Sequence, residues 1–528
     1  MKRNATQRMR RRRADSAPPR SRWRWTAFLL AAVVITAVAW TWQRTAWIRE
    51  VRAALPSRPD VRGQPPDFVT RLTEAEARTE AGETLLEAVA ELGRLYQANG
   101  YDAEASRCWQ VLCARQPDEP RWWYYRAMLR LADSDDEEAA VALRETLTRA
   151  PGYAPARWQL GNLLFKTGDL AGAENEFRLR LGLLPRDPYA RLGLARVALQ
   201  ARRTAEAKAQ LEFVLKEAPH FSTAHNLYAE ILAAEGDRAQ ASWHRWLGVE
   251  TLRYTDPVDP WLEELQPWCY DYDRLCVAGS IESMRENRDR ARSLFERAIA
   301  LKPTDFDAYR LLAAMHFRQN ESAHALALFE TARSRLGEKL PVEWYAETSR
   351  AYRLLARPAD AESVVREGLV RRGESAELLE ALGLALADLQ RHAEAVAAYR
   401  AALQRNPNDA SINYNLAVSL LALHDLDEAL AALDRSLRLQ PTFPPTLLLR
   451  GRIELAAGHW AEAENYLRPL VEAHPENGDA RQALAEWHGH MGEQAEQRGD
   501  RAGAERNYRD GLTLVPDDPA LLARLRRL

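Results

Sequence analysis

The chain has 528 residues, 46% apolar and 28% charged, with four cysteines and a formal net charge of −2. These values fit a folded body and exclude a disulfide-stapled framework. The mean charge conceals a split: residues 1–24 carry ten basic side chains and Asp15, so residues 25–528 sum to −11 and form a mildly acidic body with no general attraction to nucleic acid.

Residues 1–24 read as a basic, disordered tail rich in Arg, with Ala, Ser and Pro. Residues 25–42, WTAFLLAAVVITAVAWTW, hold no charge. At a rise of about 1.5 Å per residue they are long enough to cross a bilayer core as one transmembrane helix. Trp23 and Trp25 at one end, and Trp40, Trp42 and Trp47 at the other, suit the two interfaces. The basic excess before the span puts the N-terminus in the cytoplasm and the body across the membrane, which makes the expected location a single-pass inner membrane protein with a periplasmic body. A signal peptide cleaved after Ala37-Val38-Ala39 is the first alternative, and an Arg-rich transit peptide the second. The four prolines of 55–67 mark a stiff linker, and a polar, helix-compatible stretch over 68–83 completes the lead-in within 43–85.

From residue 86 a pattern recurs. In 376–409, Gly383 is followed by Ala395 after twelve residues, Tyr399 after four more and Pro407 after eight more. Ten residues later Ala417 restarts the series, a period of 34. The same four positions read Gly93, Ala105, Trp109 and Pro117, then Ala127, Ala139, Leu143 and Pro151. They continue as Gly161, Ala173, Phe177 and Pro185, and as Ala195, Ala207, Leu211 and Pro219. A fifth unit starts with Ala229 and Ala241, but Arg245 replaces the bulky residue. Residues 256–271, DPVDPWLEELQPWCYD, break the period, since their prolines forbid a regular helix. It is expected to be an elbow between two sub-arrays, 86–255 and 272–518, with a partner-binding loop as the alternative. The second sub-array has seven units, whose small residues are Gly279, Ala313, Ser349, Gly383, Ala417, Gly451 and Gly492. The last is offset by seven residues, about two helical turns. Residues 519–528 read as an amphipathic capping helix.

Small residues allow two helices to touch, a bulky one plugs the neighbour, and Pro marks each stop. On these positions the sequence resembles the tetratricopeptide repeat family over roughly 86–518. The resemblance implies an all-α solenoid of helix-turn-helix units in a right-handed superhelix, preceded here by the transmembrane helix. It also implies a concave face, lined by the first helix of each unit, that binds peptides or partner proteins without chemistry of its own.

Helical spacing assigns side chains to that face. In units two to four these are Tyr124, Met128, Leu131, Trp158, Asn162, Phe165, Tyr189, Leu192 and Arg196. The expected partner-binding set is Tyr124, Met128, Trp158, Asn162, Phe165, Tyr189 and Arg196: aromatic anchors with Asn162 on a peptide backbone. Arg310, Phe317, Arg350 and Arg353 form a secondary basic patch suited to an acidic segment. The chaperone-binding subfamily's Lys/Asn/Asn/Lys/Arg clamp is missing; Glu380 and Leu384 stand in the clean unit instead. Cys108 and Cys113 read as core residues, while Cys269 and Cys276 are placed to pair in an oxidising compartment. No HExxH, GxSxG, P-loop, dinucleotide or zinc spacing occurs, so no catalytic residue, cofactor or metal is assigned and no enzyme is expected. The leading expectation is a membrane-anchored scaffold or adaptor that binds a protein or peptide partner. An accessory factor for export or biosynthesis of an envelope polysaccharide or lipid-linked substrate is the alternative.

Overall fold

The computed structural model describes residues 20–81, 84–248 and 256–528, and every regular element among them is helical. Most of the basic tail, residues 1–19, lies outside the described residues. The chain divides into two compact units. One holds the described residues up to Thr167 together with Asp259–Tyr270; the other holds Gly168–Val258, as far as described, and Asp271–Leu528.

In chain order the helices are α1 (Arg20–Ala54), α2 (Pro66–Ala81), α3 (Leu85–Ala98), α4 (Asp102–Arg115), α5 (Pro120–Ala132), α6 (Asp136–Arg149) and α7 (Ala154–Thr167). Then come α8 (Leu170–Leu183), α9 (Pro188–Gln200), α10 (Thr204–Glu217), α11 (Ser222–Glu235), α12 (Arg238–Leu247) and the single turn α13 (Pro260–Glu263). The array resumes with α14 (Tyr272–Met284), α15 (Arg288–Leu301), α16 (Asp307–Arg318), α17 (Ser322–Leu336), α18 (Val342–Leu354), α19 (Pro358–Arg372), α20 (Ala376–Asp388) and α21 (His392–Arg405). It ends with α22 (Ala410–Ala422), α23 (Leu426–Leu439), α24 (Pro444–Ala457), α25 (Trp460–Ala473), α26 (Gly478–Gln497), α27 (Arg501–Leu514) and α28 (Pro519–Arg527).

The local chemistry explains these boundaries. Asp135, Asp187, Asp409, Asp425 and Asp518 each cap a helix by accepting from a backbone N–H in its first turn. Pro120, Pro188, Pro358 and Pro519 sit in first turns, where the missing N–H costs nothing. Each hairpin turn places one residue in the left-handed region: Gly100, Ser134, Gly168, Arg202, Gly236, Glu286, Asn320, Ala356, Gln390, His424, Gly458 and Gly499. Every one lies seven residues beyond the small residue of its repeat. The N–H of the next residue then returns to a carbonyl five residues back, as in Arg391 N to Leu386 O at 2.9 Å and Asp500 N to Ala495 O at 2.9 Å. That is the Schellman closure of a helix end.

The repeat's small and bulky positions meet inside each hairpin. A Cβ on Gly383 would stand 2.5 Å from the Tyr399 ring, and one on Gly93 would stand 2.6 Å from the Trp109 ring. Tyr399 and Trp109 are fully buried as a result. The offset of the last repeat is absorbed in α26, which runs to 20 residues. At the end, Leu521 of α28 is buried against Tyr508 and Ala504.

α1 contains the one helical stretch among the described residues that is long and apolar enough to cross a membrane, Phe28–Ala54, with a mean hydropathy of 1.3. Within the first unit its far end has Val51 buried and is tied to α4 by an Arg115–Glu50 ion pair of 2.9 Å. Phe28, Leu30, Ile35 and Trp42 are all exposed. None of the four cysteines forms a disulfide, Cys269 and Cys276 included. Burial pushes the Cys113 thiol up to about 12.

Candidate functional site

The first helices of successive hairpins present one face in each unit, and the two faces differ. In the first unit the aromatic face is filled by the chain's own segment 259–270. Tyr124, expected to be a groove anchor, is fully buried. Its hydroxyl donates to the Asp259 carboxylate, and the Tyr153 hydroxyl donates to the other oxygen at 2.6 Å. Leu262 N adds a third donor at 3.2 Å, the N-cap bond of α13. The Trp261 ring stacks on Tyr153, centroids 3.5 Å apart at 12°, and meets Tyr124 edge-on at 5.6 Å. Tyr125 donates from its hydroxyl to the Trp261 carbonyl at 3.0 Å. Burial raises the Asp259 carboxyl above its ordinary range, opposed by the Tyr124 and Tyr153 hydrogen bonds.

Further along the same segment, Asn99 reads backbone. Its side-chain amide donates to the Trp268 carbonyl at 2.8 Å and accepts from Tyr270 N at 2.6 Å. The paired contact resembles one rung of a strand ladder. Arg71 and Arg94 lie over the Trp268 ring at 4.8 and 5.9 Å. Sequence spacing assigned the backbone-reading role to Asn162; in the first unit Asn99 performs it. Residues 259–270 of the break therefore belong to the first unit, with α13 and a short 3₁₀ turn at Gln266–Trp268 accommodating Pro260 and Pro267.

The rest of the expected partner-binding set is half-buried. Met128, Trp158, Asn162 and Phe165 belong to the first unit, Tyr189 and Arg196 to the second. Tyr189 packs edge-on against Phe221 at 5.4 Å, and its hydroxyl donates to the Asp256 carbonyl at 3.1 Å. Burial lowers the Arg196 guanidinium from its ordinary value.

In the second unit, α18, α20 and α22 enclose an open cavity of about 650 Å³. Two members of the expected basic patch, Arg350 and Arg353, line it. Each already has a carboxylate: Arg353 with Asp388 at 2.6 Å, Arg350 with Glu347 at 3.7 Å. Arg310 is paired with Asp307 at 3.4 Å, and Arg350 covers the buried Phe317 ring at 4.6 Å. The cavity wall carries four carboxylates, Glu347, Glu377, Glu380 and Asp388, against two guanidiniums. The cavity wall is thus acidic on balance, and three of its four acids come from α20, the first helix of the repeat after the one that supplies Arg350 and Arg353. Partial desolvation, followed by the like charges of Glu343, Glu347 and Glu380 and opposed by Arg310, holds the carboxyl of the exposed Glu377 above its ordinary value. Burial and Asp409 do the same for Glu380, opposed by hydrogen bonds from Ser411 and Asn415. Glu377, Ser349 and Asn415 were missed by the sequence reading; Glu377 stands six residues before Gly383, as Tyr189 does before Ala195, whereas Ser349 and Asn415 lie off that spacing.

His316, Glu321 and His324 lie close enough to hold a metal ion. The His316–Glu321 contact of 2.7 Å, however, recurs at the same repeat positions as Glu282–Asn287 at 2.9 Å and Glu454–His459 at 2.8 Å. It is accounted for as a clasp across the hairpin turn.

The sequence profile described as tetratricopeptide repeat matches residues 90–155, 192–242, 284–341, 348–410 and 380–443, and a second profile of the same description matches 444–487. A comparison with curated proteins finds no match. Among solved structures, a thermophilic tetratricopeptide repeat protein of Thermus thermophilus is similar at 25% identity, covering 35% of this chain and 98% of that one, with a TM-score of 0.31. PilW, a widely conserved type IV pilus biogenesis factor, is similar at 23% identity over 41% of this chain and 96% of its own, TM-score 0.34. The Cut9–Hcn1 complex of the APC/C is similar at 14% identity over 86% of this chain and 98% of that one, TM-score 0.32. The chain belongs to the tetratricopeptide repeat family, whose members are protein-interaction scaffolds.

Proposed function

We propose that this protein is a membrane-anchored scaffold that holds a partner protein or peptide in the α18–α20–α22 groove of its second unit. The carrying observation is the contrast in occupancy. The first unit's aromatic face already holds 259–270, whereas a cavity of about 650 Å³ stands open on the first helices of three successive hairpins. In this family, first helices are the surface that reads extended segments. The exposed apolar length of α1 supports the anchor, because a water-facing helix with Leu30, Ile35 and Trp42 uncovered is unfavourable without lipid. The basic residues before it favour an N-terminus in the cytoplasm and a body outside it, in the periplasm of a bacterial-type envelope.

The test is co-purification of the full chain from membranes. A partner that co-purifies with the unaltered chain is expected to be lost with Leu384→Arg, which fills the groove, and kept with Trp158→Ala. Retention with Leu384→Arg and loss with Trp158→Ala would return the site to the first face. Recovery of the full chain in the soluble fraction would overturn the anchor.

A further inference from the structure

We infer that the α18–α20–α22 groove takes an extended, arginine- or lysine-bearing segment of its partner protein. The inference deepens the proposed scaffold function and rests on it.

The charges on the wall do not cancel. Arg353 is used by Asp388 and Arg350 by Glu347. Glu377 and Glu380 remain. Glu377 makes no hydrogen bond or ion pair among the described residues. Glu380 receives Ser411 Oγ at 3.2 Å and Asn415 Nδ2 at 3.0 Å on the same oxygen, Oε1. Oε2 is left with no donor among the described residues. These carboxylates are crowded by Glu343, Glu347 and Asp409, and the cations that act on them, Arg310 on Glu377 and Arg353 on Glu380, are each already paired with an aspartate.

The apolar part of the wall points the same way. The remaining wall is Ala346, Ala381, Leu384 and Leu354, which suits the methylene stem of a long cationic side chain with its head against the carboxylates. An anionic partner such as nucleic acid or an acidic peptide would meet a net repulsion here.

The experiment measures fluorescence anisotropy of the detergent-solubilised full chain with labelled Gly/Ala peptides, one carrying two arginines and one carrying two glutamates. The arginine peptide is expected to bind, to weaken with added salt, and to lose at least about tenfold in affinity with E377Q/E380Q. Glu462→Gln, remote from the cavity, leaves it unchanged. Equal binding of both peptides, or an E377Q/E380Q variant that binds as tightly as the parent, overturns the inference. The two failures are separable: a natural partner lost with Leu384→Arg but indifferent to E377Q/E380Q keeps the scaffold reading and removes the cationic one.

Discussion

The two units use the same hairpin to opposite effect. In the first, aromatic first-helix residues close on an internal segment: Tyr124 and Tyr153 hold Asp259, Trp261 stacks on Tyr153, and Asn99 pairs with the backbone around Trp268. In the second, the equivalent helices carry small and charged residues, and the space between them stays open. The difference shows that an aromatic face in a repeat array is not by itself a vacant site. Tyr and Trp bury large areas, so such a face is readily satisfied from within the chain. The groove lined by carboxylates is only partly satisfied from within, by Arg353 on Asp388, Arg350 on Glu347 and Ser411 and Asn415 on Glu380.

The comparison can be broken most severely through the frame of the second groove. Gly383→Val puts a branched side chain against the Tyr399 ring behind α20, and is expected to cost about 3 kcal/mol by overpacking. Urea unfolding would register it, and a wild-type midpoint would contradict the packing account. Trp261→Ala sharpens the first half. Loss of the Tyr153 stack should cost about 2 kcal/mol and expose the amides of 259–270 to hydrogen exchange, with the peptides of α18, α20 and α22 unchanged. Ala356→Gly, in the turn between α18 and α19, should stabilise by about 0.5 kcal/mol, because alanine at φ 56° is strained and glycine is not. Ala356→Val at the same place should do the reverse. The smallest effect concerns charge. The free groove raises the Glu377 carboxyl above 4.5, so the favourable contribution of its protonated form is complete below 4.5 and fades as pH rises through the raised value. Glu377→Gln should therefore raise Tm slightly at pH 7 and leave it unchanged at pH 4. A bound cation inverts the dependence: arginine-peptide affinity should grow as pH rises past 4.5 and then level off.

Much of the fold was legible because each hairpin is specified locally. Gly383 and Tyr399 lie 16 residues apart in sequence and pack within one hairpin. Caps such as Asp409 and stops such as Pro407 act within a turn of their own position. The partner of Tyr124 was not legible, because Asp259 lies 135 residues away and no period links a repeat to an insertion. The break announced its composition, Trp261 and Asp259 included, but not the face it lies on. The acids beside the basic patch were not legible for a related reason. Reading Arg350 and Arg353 on their own helix leaves out Asp388, 35 residues from Arg353 on the next first helix. Charge in a solenoid groove is a property of adjacent repeats together.

The most direct test of the contrast places a photo-reactive residue at Met128 in the first unit and, separately, at Leu384 in the second, in the full membrane-bound chain. The account predicts that Met128 crosslinks within the chain to 259–270, with no increase in mass, while Leu384 yields a discrete intermolecular adduct. An intermolecular adduct at Met128 with none at Leu384 would contradict it.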